Sequence, residues 1–193
     1  MIVSGSTSQS LAAALAAELD EPLAVVEQTA FPDGESKFAV EAPGERTLAA
    51  VDRAVIVAST TTADAHLEVL QLQDAAREAG IDEVVTVLPY MGYGRQDRAF
   101  EAGEPVTARA IARALSPGTD RVLTVTPHEP AVCDFFDPPA TQIDAEALLA
   151  EPLRTDPERA LEAPLFLSPD AGAIDVAETV RDAVGAGDVD HFE

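Results

Sequence analysis

Four short stretches of this chain carry side chains whose types and spacing suit work on a phosphorylated ligand. The densest is Tyr90-Met91-Gly92-Tyr93-Gly94-Arg95-Gln96-Asp97-Arg98. Its glycines let backbone approach a ligand closely. Arg95 and Arg98 present planar guanidinium groups for phosphate or base stacking. Gln96 offers both a donor and an acceptor to a base edge. The plain alternative is a flexible loop with surface arginines. In Phe31-Pro32-Asp33-Gly34-Glu35 an aromatic ring stands beside two carboxylates that flank a glycine. As a nucleotide contact, Phe31 would stack while Asp33 and Glu35 accept from ribose or base; as a bare turn, the same composition is common. His128, in Thr126-Pro127-His128-Glu129-Pro130, could take a metal or a phosphate, or be an ordinary packed or solvated histidine. Asp170, in Ser168-Pro169-Asp170-Ala171-Gly172, could hold a Mg²⁺ that bridges phosphates, or simply cap a helix. Together these groups form the inventory for electrostatic positioning of a nucleotide polyphosphate with Mg²⁺.

The elements between them are short β-branched runs alternating with helical patterns. Ile2–Ser4, Arg53–Ser59, Glu83–Leu88 and Arg121–Thr126 read as strands, the middle two as buried ones. Helices are expected over 8–19, with Thr7 or Ser8 as cap, and over 64–79 and 106–115. Leu23–Thr29 and Lys37–Glu41 read as strands around the turn at 31–35. Such alternation predicts an α/β fold, a parallel doubly wound sheet flanked by helices. Ligands of such sheets bind beyond the carboxyl ends of the strands. That directs attention to the loops at 30–35, 59–64, 89–104 and 127–130.

Composition narrows the partners. Of 193 residues, 35 are acidic and 12 basic, for a net charge of −23. This argues against sequence-general nucleic-acid binding and against an anionic membrane surface. Against that background five arginines (Arg95, Arg98, Arg109, Arg113, Arg121) fall within 27 positions. Acid-rich, lysine-poor composition suggests a salt-adapted cytoplasm, where carboxylate repulsion is screened. The 47% apolar content suffices for a core. Cys133 alone cannot form a disulfide framework. No signal peptide is visible, and no apolar run approaches the roughly 20 residues of a membrane span. A soluble, cytoplasmic protein is expected. Past residue 137 the chain is broken by Pro138-Pro139, Pro152, Pro157 and Pro164, and residues 146–193 carry 12 acids against 3 arginines. A strand at Leu165–Ser168 and a helix to about Val184 read as the opening of a second α/β unit. One strand and one or two helices cannot bury a core alone.

The order of motifs resembles ribose-phosphate pyrophosphokinase, the phosphoribosyl pyrophosphate synthetase family. The resemblance spans essentially all 193 residues: Val3-Ser4-Gly5, FxDGE at 31–35, PYxGYxRQDR at 89–98, Gly103-Glu104-Pro105, RVLTVxxH at 121–128, Asp134-Phe135-Phe136 and SPDAG at 168–172. The GEP and HEP forms resemble archaeal members. The resemblance implies phosphoribosyltransferase-like domains: residues 1–142 as an ATP-binding and oligomerisation domain, and 143–193 as the start of an incomplete second one. It implies diphosphoryl transfer from ATP to ribose 5-phosphate with Mg²⁺. By motif match Phe31, Asp33, Gly34 and Glu35 would contact ATP from a neighbouring subunit of a homo-oligomer. Arg95, Gln96 and Asp97 would hold adenine and phosphates, and His128 and Asp170 would sit at the Mg²⁺ sites.

Two features of the resemblance find no counterpart. The family's loop with catalytic Lys and Arg would begin just after His191-Phe192-Glu193, and no Asp-Asp-x-x-x-Thr-Gly stretch for ribose 5-phosphate occurs. The expectation is a C-terminally truncated synthetase, inactive alone. The alternative is a non-catalytic nucleotide-binding or regulatory member that associates with a full-length synthetase. A generic dehydrogenase-like fold is disfavoured, because Gly5-Ser6-Thr7-Ser8 lacks the GxGxxG spacing.

Overall fold

The structure is a computed structural model that describes residues 1–155 and 163–192. Pro157 and Glu193 therefore lie outside the described residues. Along the chain come β1 (Ile2–Ser4), α1 (Gln9–Glu18), β2 (Val25–Ala30), β3 (Ser36–Glu41), β4 (Arg53–Val57) and α2 (Ala63–Glu78). β5 (Glu83–Leu88), α3 (Thr107–Leu115), β6 (Arg121–Val125) and β7 (Ala140–Ile143) follow. The chain divides into two compact units, Met1–Ile143 and Asp144–Glu193, each described here by itself.

In the first unit, β1, β4, β5, β6 and β7 lie side by side in that order, all parallel. Strand side chains alternate between faces. Ile2, Val57, Val85 and Val87 pack with Ala12 and Ala16 of α1 on one face. On the other, Val3, Ile56 and Val84 meet Leu72 and Ala76 of α2, and Leu88 and Val122 meet Ala108, Ala112 and Leu115 around α3. The sheet is thus covered on both faces, which is why its strands read as near-continuous apolar runs. Leu23 bridges Ile2 in parallel on the outer side of β1, so the chain crosses back over β1 before entering β4. Ser8 is the N-cap residue of α1, but its side chain does not cap. Its Oγ instead accepts from Ser59 N at 2.9 Å, tying the loops after β1 and β4 together.

β2 and β3 form a separate antiparallel hairpin rather than part of the parallel sheet. The turn at 31–35 is the hairpin tip. Gln71 of α2 holds it in place: its Oε1 accepts from Phe38 N at 3.0 Å and its Nε2 donates to Ser36 O at 2.9 Å.

β7 escaped the sequence reading because it follows Pro138-Pro139 and is an edge strand of four residues, three of them exposed. Prolines and polar residues are tolerated at an edge, so no apolar alternation marks it. Asp134-Phe135-Phe136 lies around a 3₁₀ turn over Pro130–Phe135, whose Val132 joins Phe136 in the core.

The second unit holds α4 (Glu151–Thr155), β8 (Leu165–Ser168), α5 (Ile174–Val184) and β9 (Asp188–His191). β8 and β9 pair in parallel, with Leu165 opposite Asp188 and Leu167 opposite Asp190. Leu165 and Leu167 are 56% and 49% exposed. A sheet this small, with α5 packed against it, leaves that face to solvent. β9 was unexpected, because Asp188-Val189-Asp190-His191 reads as an acidic tail.

Candidate functional site

The loop beyond β5 is held from beneath by the loop beyond β4. Thr60 N donates to Tyr90 O at 2.9 Å, and Gly92 N donates to Thr60 Oγ1 at 2.9 Å. A Cβ on Gly92 would lie 2.1 Å from Thr60 O, so only glycine fits there. Tyr93 takes a left-handed φ of 61°, which reverses the chain. Gln96 N then donates to Tyr93 O at 2.9 Å, and Gln96 O accepts from Ala108 N at 3.2 Å at the start of α3. The Gln96 side-chain oxygen accepts from Thr107 Oγ1, and its amide nitrogen carries donors that could serve a ligand. Farther along, Glu104 accepts from Phe100 N and Glu101 N, and Arg98 stacks over Phe100 at 5.3 Å. Gly103-Glu104-Pro105 thus closes a local turn.

Between these anchors Arg95 is exposed and Asp97 half-buried. Arg95 and His128 line one cleft of about 190 Å³ with Tyr90, Met91, Gly94, Val125, Thr126 and Pro127. It sits at the carboxyl ends of β5 and β6, where Gly94 faces His128 at ordinary contact distance: a Cβ there would be 3.7 Å from His128 Cβ. Thr126, at φ 38°, turns the chain sharply after β6. Among the described residues no carboxylate lines this cleft. In a protein of net charge −23 that makes it a local anion-compatible site. A larger cleft of about 580 Å³ lies by the amino ends of β1 and β5, among Met1, Arg46, Arg53 and Glu83, far from the sequence-flagged residues.

The five-arginine cluster does not survive as one patch. Arg121 opens β6 at the amino end of the sheet, opposite Val85, whereas Arg95 follows β5 at the carboxyl end. Arg109 and Arg113 are exposed on α3.

Phe31 is 49% exposed at the hairpin tip. Its N donates to Glu35 O at 2.8 Å, Gly34 has φ 93°, and Asp33 Oδ1 accepts from Glu35 N at 3.2 Å. Gly34 and Glu35 border a cleft of about 460 Å³ with Ser6, Thr7, Thr62, Asp64 and Glu68. That cleft shares no residue with the one lined by Arg95. Asp170 belongs to the second unit. It is exposed, its Oδ1 accepts from Gly172 N at 2.9 Å, and it caps the 3₁₀ turn Ala171–Ala173.

Among the described residues no three His, Cys, Asp or Glu side chains converge to hold a metal. The donor chemistry nevertheless fits Mg²⁺, which takes one or two carboxylates and fills its shell with water and phosphate oxygens. Asp170 offers such a carboxylate at the surface; His128, a nitrogen donor, fits only as an auxiliary ligand beside phosphate oxygens.

Sequence reasoning passed over two residues of α2 that support these loops. His66 packs against Gly92 and Tyr93. Glu68, 2% exposed, accepts from Ser6 N and Ser6 Oγ, each at 2.7 Å. The signal was present as charged or polar residues recurring on the buried side of an amphipathic helix.

A family model for the N-terminal domain of ribose phosphate pyrophosphokinase matches residues 1–117. The chain belongs to this family. A ribose-phosphate pyrophosphokinase of Halobacterium salinarum is 60% identical over all of this chain and 66% of its own length. That of Methanopyrus kandleri is 39% identical over 100% of this chain and 64% of its own. The chain thus spans about two thirds of the length of these curated relatives. Among solved structures, phosphoribosylpyrophosphate synthetase from Mycobacterium smegmatis matches with a TM-score of 0.81 at 25% identity, over 99% of this chain and 63% of that one. The pyrophosphokinase N-terminal match takes in both the 31–35 turn and the 89–98 loop, while His128 and Asp170 lie beyond it.

Proposed function

We propose that this chain carries the nucleotide-binding part of a ribose-phosphate pyrophosphokinase. The overall reaction transfers a diphosphoryl group from ATP: the anomeric hydroxyl oxygen of ribose 5-phosphate attacks the β-phosphorus, the bond to the α-phosphate oxygen breaks, and AMP leaves. The observation that carries this reading is the cleft that Arg95, on a loop inside the family's N-terminal match, shares with His128, with no carboxylate among the described residues lining it. Arg95 would pair with phosphate oxygens or stack on adenine, Gln96 would donate from its amide, and Asp97 would accept from the nucleotide. Gly92, Tyr93 and the Thr60 contacts fix the loop backbone that carries these groups, which lowers the ordering cost of binding. His128 and Asp170 would stand at Mg²⁺ sites, where the ion would neutralise phosphate charge. Phe31, Asp33, Gly34 and Glu35 would reach the ATP of a neighbouring subunit: Phe31 is exposed at the hairpin tip, and Gly34 and Glu35 border a different cleft from the one lined by Arg95. In this reading residues 1–142 form the nucleotide and oligomerisation domain, and 143–193 belong to the following phosphoribosyltransferase-like domain. The setting is a salt-rich cytoplasm, as the composition and the Halobacterium relative suggest.

Calorimetry with ATP and Mg²⁺ at high salt tests this. Arg95→Ala is expected to weaken ATP by at least about tenfold, the scale of a lost charge-assisted contact. Unchanged affinity would refute the assignment.

A further inference from the structure

We propose that His66 is a positioning residue for the 89–98 loop: its imidazole, wedged beneath Gly92 and Tyr93, sets the direction in which Arg95 is presented. The inference rests on the reading of that loop as the ATP site.

His66 is 6% exposed. Its Nδ1 stands 2.8 Å from Thr62 O. A carbonyl only accepts, so Nδ1 carries the hydrogen. Thr62 is itself the cap of α2, its Oγ1 accepting from Ala65 N at 3.1 Å, so the ring is anchored to the first turn of a helix. The other nitrogen, Nε2, is buried with no hydrogen-bond partner among the described residues. A second bond therefore does not explain the ring; its packing does. A Cβ on Gly92 would lie 2.9 Å from His66 Cε1, and the Tyr93 ring sits 5.5 Å from the imidazole at 45°. Tyr93 holds the left-handed turn, and Arg95 is two residues on. Moving the ring would release Tyr93, and with it the arginine.

His66→Asn separates positioning from general support, because an amide nitrogen near the Nδ1 position can keep the Thr62 bond while the ring is lost. Tyr90 and Tyr93 are the chain's two tyrosines and there is no tryptophan, so intrinsic emission reports this loop alone. The expected result is a melting temperature close to wild type, altered tyrosine quenching, and Mg²⁺-ATP affinity about tenfold weaker. Wild-type affinity in His66→Asn, with Arg95→Ala losing binding, overturns the role of His66 alone. Wild-type affinity in Arg95→Ala overturns the ATP reading and this inference with it. Should His66→Asn not fold, nuclear magnetic resonance of the wild-type His66 ring decides. Its signals are expected to shift on saturation with Mg²⁺-ATP, and unmoved signals overturn the proposal.

Discussion

Single residues in this protein are constrained by backbone approach as much as by side-chain chemistry. At Gly92 a methyl group would sit 2.1 Å from a backbone oxygen, which cannot yield as a flexible side chain would. Gly92→Ala is therefore expected to cost about 3 kcal/mol by denaturant unfolding, at the upper end of overpacking effects. The sequence marks Gly92 as a loop glycine but not the atom it approaches, since Thr60 is 32 residues away. Asp120 is the second case. Its Oδ2 accepts from Val84 N and from Arg77 Nη2, both at 2.7 Å. The backbone bond, aided by the guanidinium, holds its pKa below the ordinary 3.8. A lowered carboxylate pKa means stability that is fully present above the unfolded value and is lost as pH falls through the folded one. Melting curves between about pH 5 and pH 2 should show this loss, and Asp120→Asn should flatten the acid limb. Among site residues, sequence could name Arg95 and His128 but not their shared cleft.

At the level of elements, α2 does more than cover the sheet. It holds three loops: the hairpin through Gln71, the loop after β1 through Glu68, and the 89–94 loop through His66. Gln71→Ala removes both backbone contacts to β3 and is expected to destabilise by about 1–2 kcal/mol. The Phe38 amide, which would lose its acceptor, should exchange hydrogen faster; unchanged exchange would show that the hairpin docks by its apolar face alone. Helices α1, α2, α3 and α5 and strands β1, β4, β5 and β6 were legible because their apolar residues recur at regular spacing. β7 and β9 were not, because each is a four-residue, largely exposed strand that needs no apolar pattern and borrows its order from a neighbour.

On the scale of the whole molecule, charge sets the conditions for stability. With a net charge of −23, self-repulsion opposes compaction until salt screens it. Raising KCl from about 0.2 M to about 2 M should lift the melting temperature by at least about 5 °C, measured by circular dichroism. A flat response would show that the carboxylates are dispersed enough not to matter. A second expectation concerns turnover. The 193 residues contain no match to the family's catalytic Lys/Arg loop or its ribose 5-phosphate loop. Alone they are expected to bind ATP without forming phosphoribosyl pyrophosphate. Robust product formation, abolished by Arg95→Ala, would overturn that expectation.

The sequence alone determined most of the strands and helices, and that the sheet is parallel and flanked by helices, because burial imposes residue type at short, regular spacing. It also determined the family, through motifs whose residues are close neighbours in the chain. Only the tertiary structure decided what meets across the fold. It brought Arg95 to His128, sent Arg121 to the opposite end of the sheet, set the 31–35 turn beside a separate cleft, and placed His66 beneath Tyr93. Such contacts join residues tens of positions apart. They depend on how strands line up side by side and on how loops approach one another, and no local spacing in the chain encodes that.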